Sequence, residues 1–271
     1  MEVLVARSKS FRLHKELGRG GFGVVYLAQD LNTDPKFRRP LALKVLKERE
    51  LNFVHNDYLL QVSALDLPNI AKFYRLEWLG DEPAQVFEYI EGPDLLTYLS
   101  KNGLSLQEFK TLFLQILKTL DALNQRALVH GDLSLENIII HPKRGSVLID
   151  FDPRPSNSKG EQKYHGIRAD LESLKNILLK IPEVFPDLDM EIQVFAYQLH
   201  GQIEQYDIQE LFAKYRDWQV SENLRFIYEY QAEKRIDKRN GVLTSCRKTY
   251  SVSLGLCLLI IASVFILFTP I

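Results

Sequence analysis

The sequence predicts an α+β chain, rich in strands in its first part and mainly helical in its second, followed by one C-terminal transmembrane helix. Three observations carry this. A glycine-rich turn, Gly18-Arg19-Gly20-Gly21-Phe22-Gly23, lies between two apolar, strand-like stretches. A segment from Ser105 to Leu123 repeats its apolar residues at helical spacing. From Tyr250 to Ile271 there is no Asp, Glu, Lys, Arg or His. The expected units are 11–90 for the strand-rich part, 91–233 for the mainly helical part, 234–250 for a basic juxtamembrane linker and 251–271 for the membrane helix.

Composition sets the outer limits. The chain has 271 residues, 25% of them charged and 46% hydrophobic, which excludes a disordered or collagenous protein. Its 34 Lys+Arg balance 35 Asp+Glu, so a net charge of −1 gives no reason to expect a nucleic-acid partner. The 2 cysteines, Cys246 and Cys257, cannot build a disulfide framework, and no Cys/His cluster has zinc-ligand spacing.

Phe11-Arg-Leu-His-Lys-Glu-Leu17 alternates and reads as a strand. It runs into the glycine turn, and Val24-Val-Tyr-Leu-Ala28 reads as the strand that returns. Glycines leave room for backbone N–H groups to approach a polyphosphate closely. A dinucleotide-binding fold would open a helix at this point, whereas the chain here continues as a β-branched strand. Gly-rich hairpins also occur without a ligand. The short apolar strand Leu41-Ala42-Leu43-Lys44-Val45-Leu46 then carries one lysine. An ammonium beside a glycine-rich hairpin reaches for phosphates; the alternative is an edge lysine with its head in water.

Val129-His130-Gly131-Asp132-Leu-Ser-Leu-Glu-Asn137 leads into the apolar run Ile138-Ile-Ile140, and after a turn at Pro142 to Gly145 comes Val147-Leu-Ile-Asp150-Phe-Asp152. Two strands joined by that turn bring Asn137 and Asp150 to one end of a hairpin. Their oxygens suit a hard cation such as Mg²⁺, with Asp132 nearby as a base. Each of these residues taken alone is as readily a cap or turn residue.

Together these segments resemble the protein-kinase family. Gly18, Gly20, Gly23 and Val25 are similar to the family's G-x-G-x-x-G-x-V, and Leu-Ala-Leu-Lys44 to V-A-I-K. His-Gly-Asp132-Leu-Ser-Leu-Glu-Asn137 resembles H-R-D-L-x-x-x-N, and Asp150-Phe151-Asp152 stands where D-F-G is expected. Val86-Phe87-Glu88-Tyr89-Ile90-Glu91-Gly92 looks like the hinge between lobes, Leu67-Pro-Asn-Ile70 like the H-P-N-I after helix C, and Asp170 like the aspartate opening helix F. The resemblance runs from about Phe11 to Leu179.

The resemblance implies a two-lobed protein-kinase-like fold and transfer of the ATP γ-phosphoryl group to a Ser or Thr hydroxyl, with Mg²⁺ as cofactor. By motif position, Lys44 holds the α/β-phosphates and Asp132 accepts the substrate proton, the two catalytic residues. Asn137 and Asp150 hold the metal. The nucleotide lies against Leu17, Gly18, Arg19, Gly20, Gly21, Phe22 and Gly23, with Val25 and Ala42 on the face of the adenine and the backbone of Glu88 to Ile90 along its edge.

Several positions depart from the pattern. The helix-C glutamate that pairs with the strand lysine falls, by the family's spacing, on Tyr58, with Asp57 beside it. Gly131 stands for the H-R-D arginine and Asp152 for the D-F-G glycine, Ser134 replaces a lysine, the segment from Asp150 to Asp170 is short, and no A-P-E occurs. Missing arginine and short segment agree in predicting independence from phosphorylation there, at Ser156 and Ser158 for example. Tyr58 and Asp152 favour a pseudokinase or nucleotide-binding scaffold instead, and His-Gly-Asp is similar to small-molecule kinases of the same fold.

Ser105-Leu-Gln-Glu108 is a capping box, followed by Phe109, Leu112, Phe113, Ile116, Leu117, Leu120 and Leu123 on one helix face. Amphipathic segments follow around 190–199, 208–215 and 223–232. Beyond them Lys234, Arg235, Lys238, Arg239, Arg247 and Lys248 face one acid, Asp237. An apolar run of about 20 residues spans a bilayer, and the basic flank predicts a single-pass protein with its large N-terminal part cytoplasmic. The C-terminus is then embedded or just outside. Expected partners are the lipid bilayer through 251–271 and protein substrates at or near the membrane.

Overall fold

The computed structural model describes residues 3–5, 10–47, 53–101, 104–152, 167–185, 187–203 and 210–211. The linker 234–250, the membrane helix 251–271, the amphipathic segments expected near 208–215 and 223–232, and Ser156 and Ser158 lie outside the described residues. Among those described, no helix is long and apolar enough to cross a membrane.

Alternation builds the first lobe. Strands β1 (Val3–Val5), β2 (Ser10–Arg19), β3 (Gly23–Asp30), β4 (Leu41–Leu46), β5 (Phe73–Leu79) and β6 (Glu82–Glu88) form one sheet in the order β1-β2-β3-β4-β6-β5. Every pairing is antiparallel. Successive strand side chains point to opposite faces, so Leu41 and Leu43 enter a buried cluster with Phe11, Leu13, Ala28, Leu79, Ala84 and Val86. Ala42 and Lys44 take the other face. Register places Val25 beside Lys44, Leu27 and Phe87 on either side of Ala42, and Gln85 beside Lys44. Three predicted site residues, Val25, Ala42 and Lys44, therefore share one face of the sheet. On its opposite side Arg75 pairs with Asp30 at 3.0 Å and Glu77 at 2.6 Å.

Helix α1 (Phe53–Ser63) follows β4, and its Leu59 and Val62 join the main core of the second lobe. That lobe is built on α2 (Leu95–Lys101), α3 (Leu106–Asn124), α4 (Ile167–Val184) and α5 (Met190–Gln202). The predicted capping box starts α3: the Ser105 hydroxyl accepts from the Glu108 N–H at 3.3 Å, and the Glu108 carboxylate accepts from the Ser105 N–H at 2.9 Å. Two of the four free N–H groups of a helix start are thereby satisfied, worth about 1 kcal/mol per cap. Phe109 stacks on Phe113 with ring centroids 4.5 Å apart and meets Phe195 of α5 edge-on at 6.0 Å. These fully buried rings fix α5 against α3, each contributing roughly 2–3 kcal/mol by burial.

The predicted hairpin forms as β7 (Ile138–His141) and β8 (Gly145–Leu148), with Ile138 opposite Leu148. It is stitched to the stretch after α1, where the Ala71 N–H donates to Leu148 O at 3.0 Å and the Leu148 N–H to Asn69 O at 2.9 Å. The two lobes thus meet along β8, and Asp150 emerges from that seam.

Candidate active site

The glycine turn joins β2 to β3 as expected, closed by Gly20 N–H donating to Gly23 O at 2.9 Å. At Gly18, Gly20 and Gly21 a Cβ would meet no atom within 4 Å, and none of the three has a positive φ. The fold itself makes no demand for glycine there; the open space fits a polyphosphate approaching the backbone. Gly23 differs, because a Cβ would strike the carbonyl of Val45 on β4. The turn is braced by Lys47, which sequence reading missed. Its Nζ donates to Gly20 O at 2.7 Å and its N–H to Phe22 O at 3.0 Å. Leu17 and Phe22 are exposed, and Arg19 pairs with Glu16 at 2.6 Å.

Lys44 forms an ion pair with Asp150, its side chain 13% exposed. Asp150 holds φ +57, a left-handed conformation that Asp tolerates better than most residues. It lies directly after the β8 seam, where Ile149 N–H donates to Asn137 O at 3.0 Å. The Asn137 amide nitrogen donates to the Asp132 carbonyl at 2.8 Å and to its carboxylate at 3.2 Å. Lys44, Asp150, Asn137 and Asp132, four sequence-predicted residues from two lobes, are thereby joined in one place.

Burial raises the Asp132 carboxyl above its ordinary range, and the charges of Asp150 and Asp152 push it further, against the Asn137 hydrogen bond and Lys44. Such a carboxylate is a better proton acceptor than a free one. Among the described residues no group of three or more His, Cys, Asp or Glu is arranged as a ready metal site. An Asn and an Asp oxygen, completed by phosphate oxygens, nevertheless fit Mg²⁺, which commonly takes one or two carboxylates plus substrate phosphates.

The backbone before Asp132 is held from two helices. The Asp170 carboxylate, buried near the start of α4, accepts from the His130 N–H at 2.6 Å and the Gly131 N–H at 2.8 Å. Burial raises its carboxyl while those two donors oppose the rise. Gly131 has φ +83, so the residue replacing the family's arginine occupies a conformation that side chains avoid, at about 1–2 kcal/mol. From α1, the Tyr58 hydroxyl donates to Val129 O and accepts from the Val129 N–H at 2.8 Å. Tyr58 therefore does not meet Lys44, and Asp57 is exposed. His130 donates from Nε2 to Ile149 O, 2.9 Å away, and its ring lies 4.4 Å from that of Phe151. Asp152, in the glycine's place, returns its N–H to His130 O at 2.9 Å.

At the hinge, Glu88 N–H donates to Lys72 O at 2.8 Å, and Ile90 is buried with Ala71 and Val147. A further residue, which the sequence marked only as part of a turn, acts here. Arg144, in the β7–β8 turn, binds the Glu88 carboxylate at 2.7 Å and the carbonyls of Pro68 at 2.5 Å and Ile70 at 3.1 Å. A separate cleft of about 640 Å³ behind the hinge, lined by Tyr98, Leu112 and Ile140 among others, contains none of the predicted nucleotide residues.

Comparison with known proteins agrees with this geometry. The family model for the protein kinase domain matches residues 11–166. The meiosis-specific serine/threonine-protein kinase mek1 of Schizosaccharomyces pombe is 33% identical over 156 residues, 54% of this chain and 34% of that protein. The serine/threonine-protein kinase PrkC of Bacillus subtilis is 31% identical over 152 residues, 53% of this chain and 22% of that one. Maternal embryonic leucine zipper kinase of Xenopus tropicalis is 29% identical over 161 residues, 58% of this chain and 24% of its own length. The chain spans about a third or less of the length of these relatives. With more than half of its residues inside the family match, the chain belongs to the protein kinase domain family.

Proposed function

We propose that this chain is a membrane-anchored protein kinase that transfers the γ-phosphoryl group of ATP to Ser or Thr hydroxyls of proteins at or near the membrane. The observation that carries the reading is the convergence of Lys44 on Asp150 and of Asn137 on Asp132. In this reading the glycine turn covers the phosphates, Lys44 neutralises the α/β pair, and the backbone of Glu88 to Ile90 holds the adenine against Val25 and Ala42. Asn137 and Asp150 would hold Mg²⁺, whose charge offsets that of the phosphates. The substrate oxygen forms the new bond to the γ-phosphorus, the bond to the β–γ bridging oxygen breaks, ADP leaves, and the proton passes to Asp132. Anchoring is supported by the uncharged run 250–271 behind its basic flank.

The test is transfer of labelled γ-phosphate from Mg-ATP by the full chain in detergent micelles, with Asp132→Asn and Lys44→Met as controls. Transfer to protein that disappears in Asp132→Asn supports the reading; transfer only to small hydroxyl compounds replaces it with a small-molecule kinase. A second reading, a pseudokinase that binds nucleotide without transfer, is favoured by Tyr58 in place of the acid and by Asp152. ATP raising the melting temperature with no transfer would establish it. Anchoring is tested separately: a chain ending at Asp237 that fully restores function in cells lacking the protein sinks that part.

A further inference from the structure

Helix α1 carries no acid to Lys44, yet it is firmly attached to the site. Tyr58 reaches across to Val129, where its single hydroxyl serves both backbone groups of one residue, donating to the carbonyl and accepting from the N–H at 2.8 Å. A carboxylate cannot substitute for it, because an acceptor-only group would face the Val129 carbonyl. Burial keeps the hydroxyl neutral, its pKa pushed up to about 12, so both roles persist at any physiological pH. The next two N–H groups along the chain, of His130 and Gly131, are those held by Asp170. Three consecutive residues before Asp132 are therefore fixed from α1 on one side and α4 on the other. A second tether holds α1 to the sheet, as the Gln85 amide donates to Asn56 Oδ1 at 3.0 Å, with Gln85 beside Lys44 in the strand register.

We propose that Tyr58 is a positioning residue for phosphoryl transfer: its hydroxyl couples the placement of α1 to the segment that carries Asp132, and not to the nucleotide-binding Lys44. Where an acid on α1 orients the lysine, the helix is felt at the phosphates. Here it is felt at the proton acceptor. The inference rests on the phosphotransfer reading, and it predicts a particular division between turnover and nucleotide affinity.

The experiment compares the full chain in micelles with Tyr58→Phe and Tyr58→Glu, measuring kcat, KM for ATP, melting temperature and amide exchange at His130 and Gly131. Tyr58→Phe should lower kcat about tenfold while KM for ATP stays within twofold, and exchange at both amides should quicken. Tyr58→Glu should be no better than Tyr58→Phe. A Tyr58→Phe kcat within twofold of the parent overturns the proposal. So does a raised KM at unchanged kcat, or a Tyr58→Glu chain more active than the parent. If the parent itself transfers nothing, the phosphotransfer reading fails on its own. The coupling is then judged by exchange: unchanged rates at His130 and Gly131 in Tyr58→Phe, or in Tyr58→Leu should the first not fold, overturn it.

Discussion

Arg144 and Glu88 lie 56 residues apart and form an ion pair at 2.7 Å that joins the turn of one hairpin to the strand leading out of the sheet. The guanidinium also takes two carbonyls of the 68–70 stretch, so one side chain fixes hinge, inter-lobe connection and β7–β8 turn together. Arg144→Ala should remove about 2 kcal/mol, the worth of charge-assisted bonds at a half-buried site. A melting temperature lower by about 5 °C is expected for a lobe pair of this size. KM for ATP should rise severalfold as the Glu88–Ile90 backbone loosens. An unchanged melting temperature would show the pair to be ornamental.

The glycine turn separates folding from ligand binding position by position. Gly20→Ala places a methyl group in open space and should leave stability within about 0.5 kcal/mol in the absence of nucleotide. Its effect should be confined to ATP affinity, weakened about tenfold, or ~1.4 kcal/mol. Gly23→Ala meets the Val45 carbonyl and should lower the melting temperature with no nucleotide present. Calorimetry on both variants, with and without ATP, checks the contrast; equal losses in the ligand-free state would refute it.

His130 makes stability depend on pH. Burial pushes its imidazole down from 6.5 to about 4, against the Ile149 carbonyl and the charges of Asp150 and Asp152, which favour the cation. Between those values the unfolded chain binds a proton that the folded chain does not, so this contribution is complete above pH 6.5 and is lost as pH falls toward 4. One such group gives a slope of up to ~1.4 kcal/mol per pH unit. Denaturant midpoints at pH 7 and pH 5 should differ for the parent and differ less for His130→Phe. The raised carboxyls of Asp132 and Asp170 act in the opposite sense just above the ordinary carboxylate range, in parent and variant alike. Parallel pH profiles of the two chains would count against His130 as the source.

On the far face of the sheet, Arg75 sits between Asp30 and Glu77, whose side chains are 8% and 9% exposed. Arg75→Leu leaves two nearly buried carboxylates without their guanidinium, which typically costs about 3 kcal/mol. Chemical denaturation should show that loss without a change in KM for ATP. A loss below about 1 kcal/mol would mean that the remaining partners of the two acids suffice.

Where residue type and spacing carried the information, the sequence was readable. The glycine turn between strands, the Ser105 capping box and the β7–β8 hairpin follow from local chemistry, and Lys44, Asp132, Asn137 and Asp150, singled out by ordered motifs, lie close together. Spacing also placed Tyr58 where an acid was expected. It gave no hint that the hydroxyl reaches Val129, because that contact depends on how α1 leans across 71 residues of intervening chain. Arg144 and Lys47 escaped for a related reason: each binds mostly backbone carbonyls, and a carbonyl has no sequence identity. Gly131 looked like a lost arginine until its positive φ gave a local reason for glycine.

The bulges in β2 have a consequence beyond aiming the glycine turn. Register shifts occur between Leu13 and Lys15 and again between Glu16 and Gly18, while β1 covers only Ser10 to Arg12. Among the described residues no strand pairs with that side of β2 from Leu13 onward, which would otherwise leave a straight edge for another molecule's strand. Its two kinks, together with the exposed charges of Lys15 and Glu16, spoil that template. The irregularity that leads into the glycine turn thus also makes this edge a poor template for the strand of a second copy.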